Sequence, residues 1–127
     1  MDTQRLRRRL ILFAALLLAG AAAAELRVRV QRSPLAGFQY HEGPALWDQL
    51  RTGDRLELVR EENNPHDRRA IAVLWQGHKL GYLPRAENDA VSDAMDRGHR
   101  LEARIGRLRE ERNPWRRLEV EVFVVPQ

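Results

Sequence analysis

The chain has 127 residues, enough for one domain of ordinary size. With 43% hydrophobic and 31% charged residues it has the make-up of a packed soluble fold, which sets aside disorder, collagen and coiled coil. It contains no cysteine, so disulfides, thiolate nucleophiles, cysteine-ligated zinc and a lipid-bearing cysteine are excluded.

Residues 1–24 read as an address. Arg5, Arg7, Arg8 and Arg9 precede an apolar run from Leu10 to Leu18 and a small-residue tract from Ala19 to Ala24, the three-part layout of a secretory signal peptide. The uncharged stretch from Leu10 to Ala24 is 15 residues, against about 20 for a membrane-spanning helix. Cleavage at Ala22-Ala23-Ala24 is therefore expected over retention as an N-terminal membrane anchor, and membrane contact only if the segment is kept. The mature domain would be residues 25–127, periplasmic or extracellular. Four of the 22 basic residues and one of the 18 acidic ones leave with the segment, so the formal charge of +4 falls to +1. A protein that binds nucleic acid by blanketing phosphates carries a larger excess, so any such binding here needs a local pocket.

Along the mature chain, Leu26-Arg27-Val28-Arg29-Val30 alternates like a half-buried strand, and Ser33-Pro34 should break it. Gly37 to Tyr40 is expected as a short strand, and Ala45 to Leu50 as a brief helix with Leu46, Trp47 and Leu50 on one face. After the Gly53-Asp54 turn, Leu56–Val59 and Ala70–Trp75 form a hairpin across the polar loop Glu61–Asp67. Gln76-Gly77-His78 turns the chain into Lys79–Leu83, which Pro84 ends because proline has no N–H to donate. Ala86, Ala90, Val91, Ala94 and Met95 recur at helical spacing between Arg85 and Arg97, with Gly98 as the stop. Leu101–Leu108 and Leu118–Val125 are two more strands, joined around Arg112-Asn113-Pro114-Trp115. Six strands with one or two short helices suit a small β-barrel. The Arg60-Glu61-Glu62 and Arg109-Glu110-Glu111 stretches, each followed by Asn-Pro, echo one another as two similar hairpin loops.

Gly37 and Tyr40, Gly53, Leu58-Val59-Arg60-Glu61, Asn63-Asn64-Pro65-His66-Asp67, Ala70-Ile71-Ala72-Val73 and Leu80-Gly81-Tyr82-Leu83-Pro84-Arg85 follow in the order and spacing of a HIRAN domain. From about Leu26 to Val125 the chain resembles that family, which is usually written with Asn-Pro-Tyr-Asp and Gly-Tyr-Leu-Pro elements. The resemblance implies a mainly β, OB-like six-stranded β-barrel, and a non-catalytic module that binds single-stranded DNA at its 3′ end. It further implies an aromatic face of Tyr40 with Tyr82, a polar loop of Asn64, His66 and Asp67, and Arg85 near a phosphate. His66 stands where the family often has tyrosine, and Gln39 where a DNA-binding relative has arginine, so one stacking surface is smaller and one phosphate contact is missing.

These residue types suit the task. Aromatic rings stack on any base for about 1 to 3 kcal/mol each and need no strongly basic surface. A carboxylate such as Asp67 accepts a hydrogen bond from a 3′-hydroxyl and repels a 3′-phosphate. By residue type alone, Asn64-Pro65 with Asp67 is equally a turn bonded to its own backbone, Tyr82 a packed strand residue, Arg85 a solvated charge, and Trp47, Trp75 and Trp115 packing residues. If the chain is exported, an envelope protein or polymer bound through the same face is the alternative partner.

His41, His66, His78 and His99 are the candidate zinc ligands, but none lies at helical i, i+4 spacing and no cysteine accompanies them, so no cofactor is expected. Ser33 and Ser92 are the only serines, neither in a G-x-S-x-G setting, and no phosphate-binding G-x-x-x-x-G-K-[ST] loop occurs. A hydrolase, ATPase or helicase activity would therefore belong to fused partners of the family. N-terminal sequencing of the native protein is expected to begin at Glu25 in an envelope or extracellular fraction. An intact Met1 on a cytosolic product would discard the export reading.

Overall fold

The structure, a computed structural model, describes residues 26–126, so the expected signal segment lies outside the described residues. Six strands form: β1 (Val28–Pro34), β2 (Arg55–Arg60), β3 (Ile71–Trp75), β4 (His78–Tyr82), β5 (Leu101–Leu108) and β6 (Leu118–Val124). Two α-helices accompany them, α1 (Gly43–Leu46) and α2 (Asp89–Asp96), with short 3-10 turns between. The strands line up as β1-β6-β5-β2-β3-β4, each neighbour antiparallel.

β2 is the strand that gives the sheet its fold. Its first residues, Arg55 and Leu56, pair with Arg104 and Ala103 of β5, whereas Glu57 to Arg60 pair with Leu74 to Ile71 of β3. A strand that hands over from one half of a sheet to the other makes a corner, and the two halves can close over a shared core. Alternation from Leu118 to Val122 fills that core from β6, where Leu118, Val120 and Val122 are buried and Glu119 and Glu121 lie on the opposite face. Ile105, Ile71, Val73 and Leu80 add to it, and Leu35, Phe38, Leu50, Leu83 and Val91 cover it from the connecting segments. Trp75 belongs to the same core, and its Nε1–H donates to Asp54 Oδ2 at 3.0 Å, so the indole is buried with its polar atom satisfied.

Four expectations need correction. The sheet is not closed into a barrel: β1 ends at Pro34, which cannot donate to a ladder, and Gly37 at φ 74 turns the chain away. Among the described residues one reciprocal pair spans the gap, Ala36 N–H to Tyr82 O at 2.8 Å and Tyr82 N–H to Ala36 O at 2.9 Å, with a single bond from Glu42 N–H to Lys79 O at 3.1 Å further on. The first strand is not half-buried, since Leu26, Val28 and Val30 are all exposed. A bulge between Arg29 and Gln31 resets the alternation, so the strand first turns inward at Ser33 and the chain then continues in at Leu35. Phe38–Tyr40 is a 3-10 turn that drives Phe38 into the core. The helix expected over Arg85–Arg97 is split at the buried Asn88 into a 3-10 turn, Arg85–Glu87, and α2.

The Ala36–Tyr82 link requires glycine beside it. A Cβ at Gly81 would lie 2.3 Å from Ala36 O and 3.1 Å from the Leu35 side chain, which only a backbone shift could relieve. Gly81→Ala should therefore lower the free energy of unfolding by about 1 to 3 kcal/mol, measured as an earlier urea midpoint with an unchanged slope. A midpoint within error of the wild type would show that the sheet edges can separate freely.

Candidate nucleic-acid interface

The segment after β2 leaves the ladder beyond the Glu61 N–H to Ala70 O bond, at 2.9 Å, and side chains then fix its shape. Arg60, largely buried, donates from Nη1 to the carbonyls of Arg68 and Ala70 at 3.0 and 3.1 Å, and pairs through Nε and Nη2 with both oxygens of Asp96 on α2. The loop base is thus fastened to the helix by a two-pronged ion pair. Asn64 shapes the loop tip: its Oδ1 accepts the N–H groups of His66 at 2.9 Å and Asp67 at 3.3 Å, while its Nδ2 donates to Glu61 Oε1 at 3.1 Å. This is an Asx turn, and it occupies both ends of the amide.

Asp67 comes next. Its Oδ1 accepts the Arg69 N–H at 2.9 Å and its Oδ2 accepts Asn88 Nδ2 at 2.8 Å, which leaves lone pairs on both oxygens. Burial opposes ionisation here. The two hydrogen bonds, with the charges of Arg85 and Arg60, outweigh it and hold the carboxyl below its ordinary range, so Asp67 is a carboxylate at neutral pH.

Tyr82 at the end of β4 faces this loop. Its hydroxyl donates to Glu61 Oε1 at 2.9 Å and accepts from Lys79 Nζ at 3.0 Å, and Lys79 closes the triangle on Glu61 Oε2 at 2.9 Å. The ring neighbour of Tyr82 is His41, edge-on with centroids 5.6 Å apart. Burial, and then the charge of Lys79, push the His41 pKa below its usual value, so this imidazole is neutral at pH 7 and serves as a ring.

These elements enclose a cleft of about 320 Å³, lined by Ala36, Asn64, His66, Asp67, Ala70, Tyr82, Leu83 and Arg85. A wider hollow of about 690 Å³ on the loop side shares Asn64, His66, Asp67 and Arg85 with it. Five of the six expected residues therefore come together. Arg85 makes no hydrogen bond or ion pair with a described residue, and it lines both hollows. The sixth, Tyr40, stands outside the lining on the 3-10 turn, 81% exposed, beside His41 in sequence.

Sequence reasoning did not single out Glu61, Lys79 or Asn88, which lock Tyr82 and Asp67 in place. The available signals were Glu61, which ends the Leu58-Val59-Arg60-Glu61 motif, and Lys79, the only lysine in the chain. The four histidines do not gather: His41 lies on Tyr82, His66 lines the cleft, His78 sits 3.0 Å from Glu42, and the N–H of His99 bonds the end of α2. Among the described residues no group of three His, Asp or Glu could hold a metal ion, and no helix is long and apolar enough to cross a membrane.

The HIRAN domain model matches residues 28–126, nearly all of the described chain. The chain belongs to the HIRAN domain family. A crystal structure of a protein from Lactobacillus plantarum is similar, with 28% identity and a TM-score of 0.70 over 82% of this chain and 100% of that one. The HIRAN domain of human HLTF has the same fold, with 21% identity and a TM-score of 0.62 over 80% of each chain. No match was found among the curated proteins. Membership supports nucleic-acid binding as the general activity, and the HIRAN domain is in itself generally a binding rather than a catalytic unit.

The Glu61–Lys79–Tyr82 triangle gives a pH signature. Burial opposes the Glu61 charge, but the bonds from Lys79, Tyr82 and Asn64 prevail and hold its pKa below the ordinary value. The stabilisation is complete above the unfolded pKa and disappears as pH falls through the depressed folded value. Glu61→Gln should cost about 1 to 2 kcal/mol at pH 7 for this partly exposed group, with the gap to wild type narrowing below pH 4 in urea titrations. A gap independent of pH would mean that the charge on Glu61 contributes nothing.

Proposed function

We propose that the chain is a non-catalytic module that holds the 3′ end of a single nucleic-acid strand in the cleft between the 61–70 loop and β4. The observation that carries this reading is that one cleft is lined both by Asp67, held as a carboxylate, and by Arg85, whose guanidinium makes no hydrogen bond or ion pair with a described residue. Asp67, kept charged and with free lone pairs, accepts the terminal hydroxyl. Arg85 meets the next phosphate. Tyr82, half-buried and fixed by its hydroxyl, and His66 offer faces to the terminal base, and Tyr40 offers a fully presented ring beside the cleft for a neighbouring base. A cleft of this volume suits one nucleotide rather than a duplex, which also fits the near-neutral charge of residues 25–127.

The N-terminal sequence favours a second reading, that of an exported module whose cleft takes an envelope protein or polymer, or DNA outside the cell. The two readings share the site and differ in ligand.

Fluorescence anisotropy with short oligonucleotides ending in a 3′-hydroxyl or a 3′-phosphate tests the first. Repulsion between Asp67 and a phosphate about 4 Å away is on the order of 1 kcal/mol in water and about 4 at an effective dielectric near 20. The hydroxyl end should therefore bind at least about tenfold more tightly, a difference of about 1.4 kcal/mol, and Asp67→Asn should erase most of that preference. Equal binding of both ends by the wild type would reject end recognition, and binding of neither would move the cleft to the envelope reading.

A further inference from the structure

The outer face of the β1-β6-β5 half carries many arginines, and most of them are engaged. Arg29 and Arg32 both reach Glu121, at 3.8 and 3.3 Å, and Arg104 lies 4.2 Å over the Phe123 ring. Three arginines at one end of this face differ. Arg107, Arg109 and Arg116 make no side-chain hydrogen bond, ion pair or ring contact with a described residue. Together with Pro34, Trp115 and Glu119 they line a separate hollow of about 310 Å³.

Register explains why they converge. Pro34, Glu119 and Arg107 are direct partners across β1, β6 and β5, so their side chains share one face. The β5–β6 connection then bends back over them. Asn113 Oδ1 accepts the Trp115 N–H at 3.1 Å and starts a 3-10 turn over Pro114–Arg116, while Arg109 N–H bonds Arg117 O at 2.8 Å. Arg117 anchors this turn with its guanidinium 4.6 Å over Trp47 and 5.7 Å over Phe38. Glu119 is the one carboxylate of the lining, so three guanidinium groups face a single negative charge, and like charges held together without counter-ions favour an anionic ligand.

Position relates this hollow to the cleft. Pro34 lines the one and Ala36 the other, two residues apart on an extended segment, or about 6 to 7 Å. Tyr40 and Phe38 sit on the turn against which the Pro114–Arg116 turn packs.

We propose that Arg107, Arg109 and Arg116 form a second, backbone-reading contact that takes the phosphodiesters of a strand running on from the cleft. This rests on the reading of the cleft as a strand-end site. The cleft selects the end, and the patch supplies the salt-dependent share of affinity.

The test uses 3′-hydroxyl oligonucleotides of roughly 12 and roughly 4 nucleotides, spanning the site sizes seen for small folds of this kind. Wild type and Arg109→Gln/Arg116→Gln are compared across a salt series, with thermal unfolding to check that both are folded. The double variant should bind the long strand at least about tenfold more weakly, with the log–log salt slope shallower by about 1.4, or 0.7 per arginine lost. It should bind the short strand as the wild type does. Unchanged affinity and slope on the long strand overturn the patch and leave the cleft reading standing. Long-strand binding lost in the double variant but kept in Asp67→Asn, with no difference between 3′ ends, supports the patch and removes the cleft's role. Wild-type binding to vesicles containing phosphatidylglycerol, and to neither oligonucleotide, overturns the proposal and assigns the arginines to a lipid surface.

Discussion

The two hydrogen bonds between Ala36 and Tyr82 are the constraint on which the site depends. Among the described residues they are the one reciprocal backbone pair between the segment leaving β1 and β4, with a single further bond from Glu42 N–H to Lys79 O, and both residues are walls of the cleft. With the gap bridged by these few bonds rather than zipped along a ladder, space remains beside the Ala36–Tyr82 pair for a ligand. The absence of a side chain at Gly81 lets the two backbones approach, and the left-handed turn at Gly37 then carries the chain away at once. A fully paired barrel would have filled this space with its own strands.

Around that bridge the polar groups fall into two kinds. Glu61, Lys79 and Asn64 bond to one another, to Tyr82 and to the loop backbone, and Asn88 donates its amide N–H to Asp67, so that their part is to fix positions. Arg85 has no such bond, and Asp67 retains accepting capacity after its two bonds are made. A ligand meeting this surface finds a preset carboxylate and an exposed cation, and little inside the cleft must reorganise on binding.

Much of this was legible in the sequence, and the failures have physical causes. β6 was read correctly because Leu118, Val120 and Val122 alternate with glutamates over a single buried face, and β3 because β-branched and aromatic residues run together between turn signals. The family motifs grouped Tyr40, Asn64, His66, Asp67, Tyr82 and Arg85, which periodicity alone could not do, and all but Tyr40 line the cleft. The first strand misled because alternation reports two faces but not which one is covered, and at a sheet edge past the core neither is. Phe38 took a 3-10 turn instead of a strand because one large side chain had to enter the core within a few residues of Gly37. Glu61 and Lys79 escaped notice because they meet 18 residues apart, across the intervening β3, whose registers with β2 and β4 the sequence does not state. The paired Asn-Pro loops were matched turn chemistry: Asn64 and Asn113 each accept the N–H two residues on.

The Asx turn at Asn64 has a consequence for how this surface can diversify. It grips position 66 through the main-chain N–H, and the imidazole of His66 has no hydrogen-bond partner among the described residues. Loop shape and ligand contact are thus encoded by different atoms of neighbouring residues. Evolution can exchange the side chain at 66 without retuning the scaffold, making that position an adjustable reader mounted on a fixed frame.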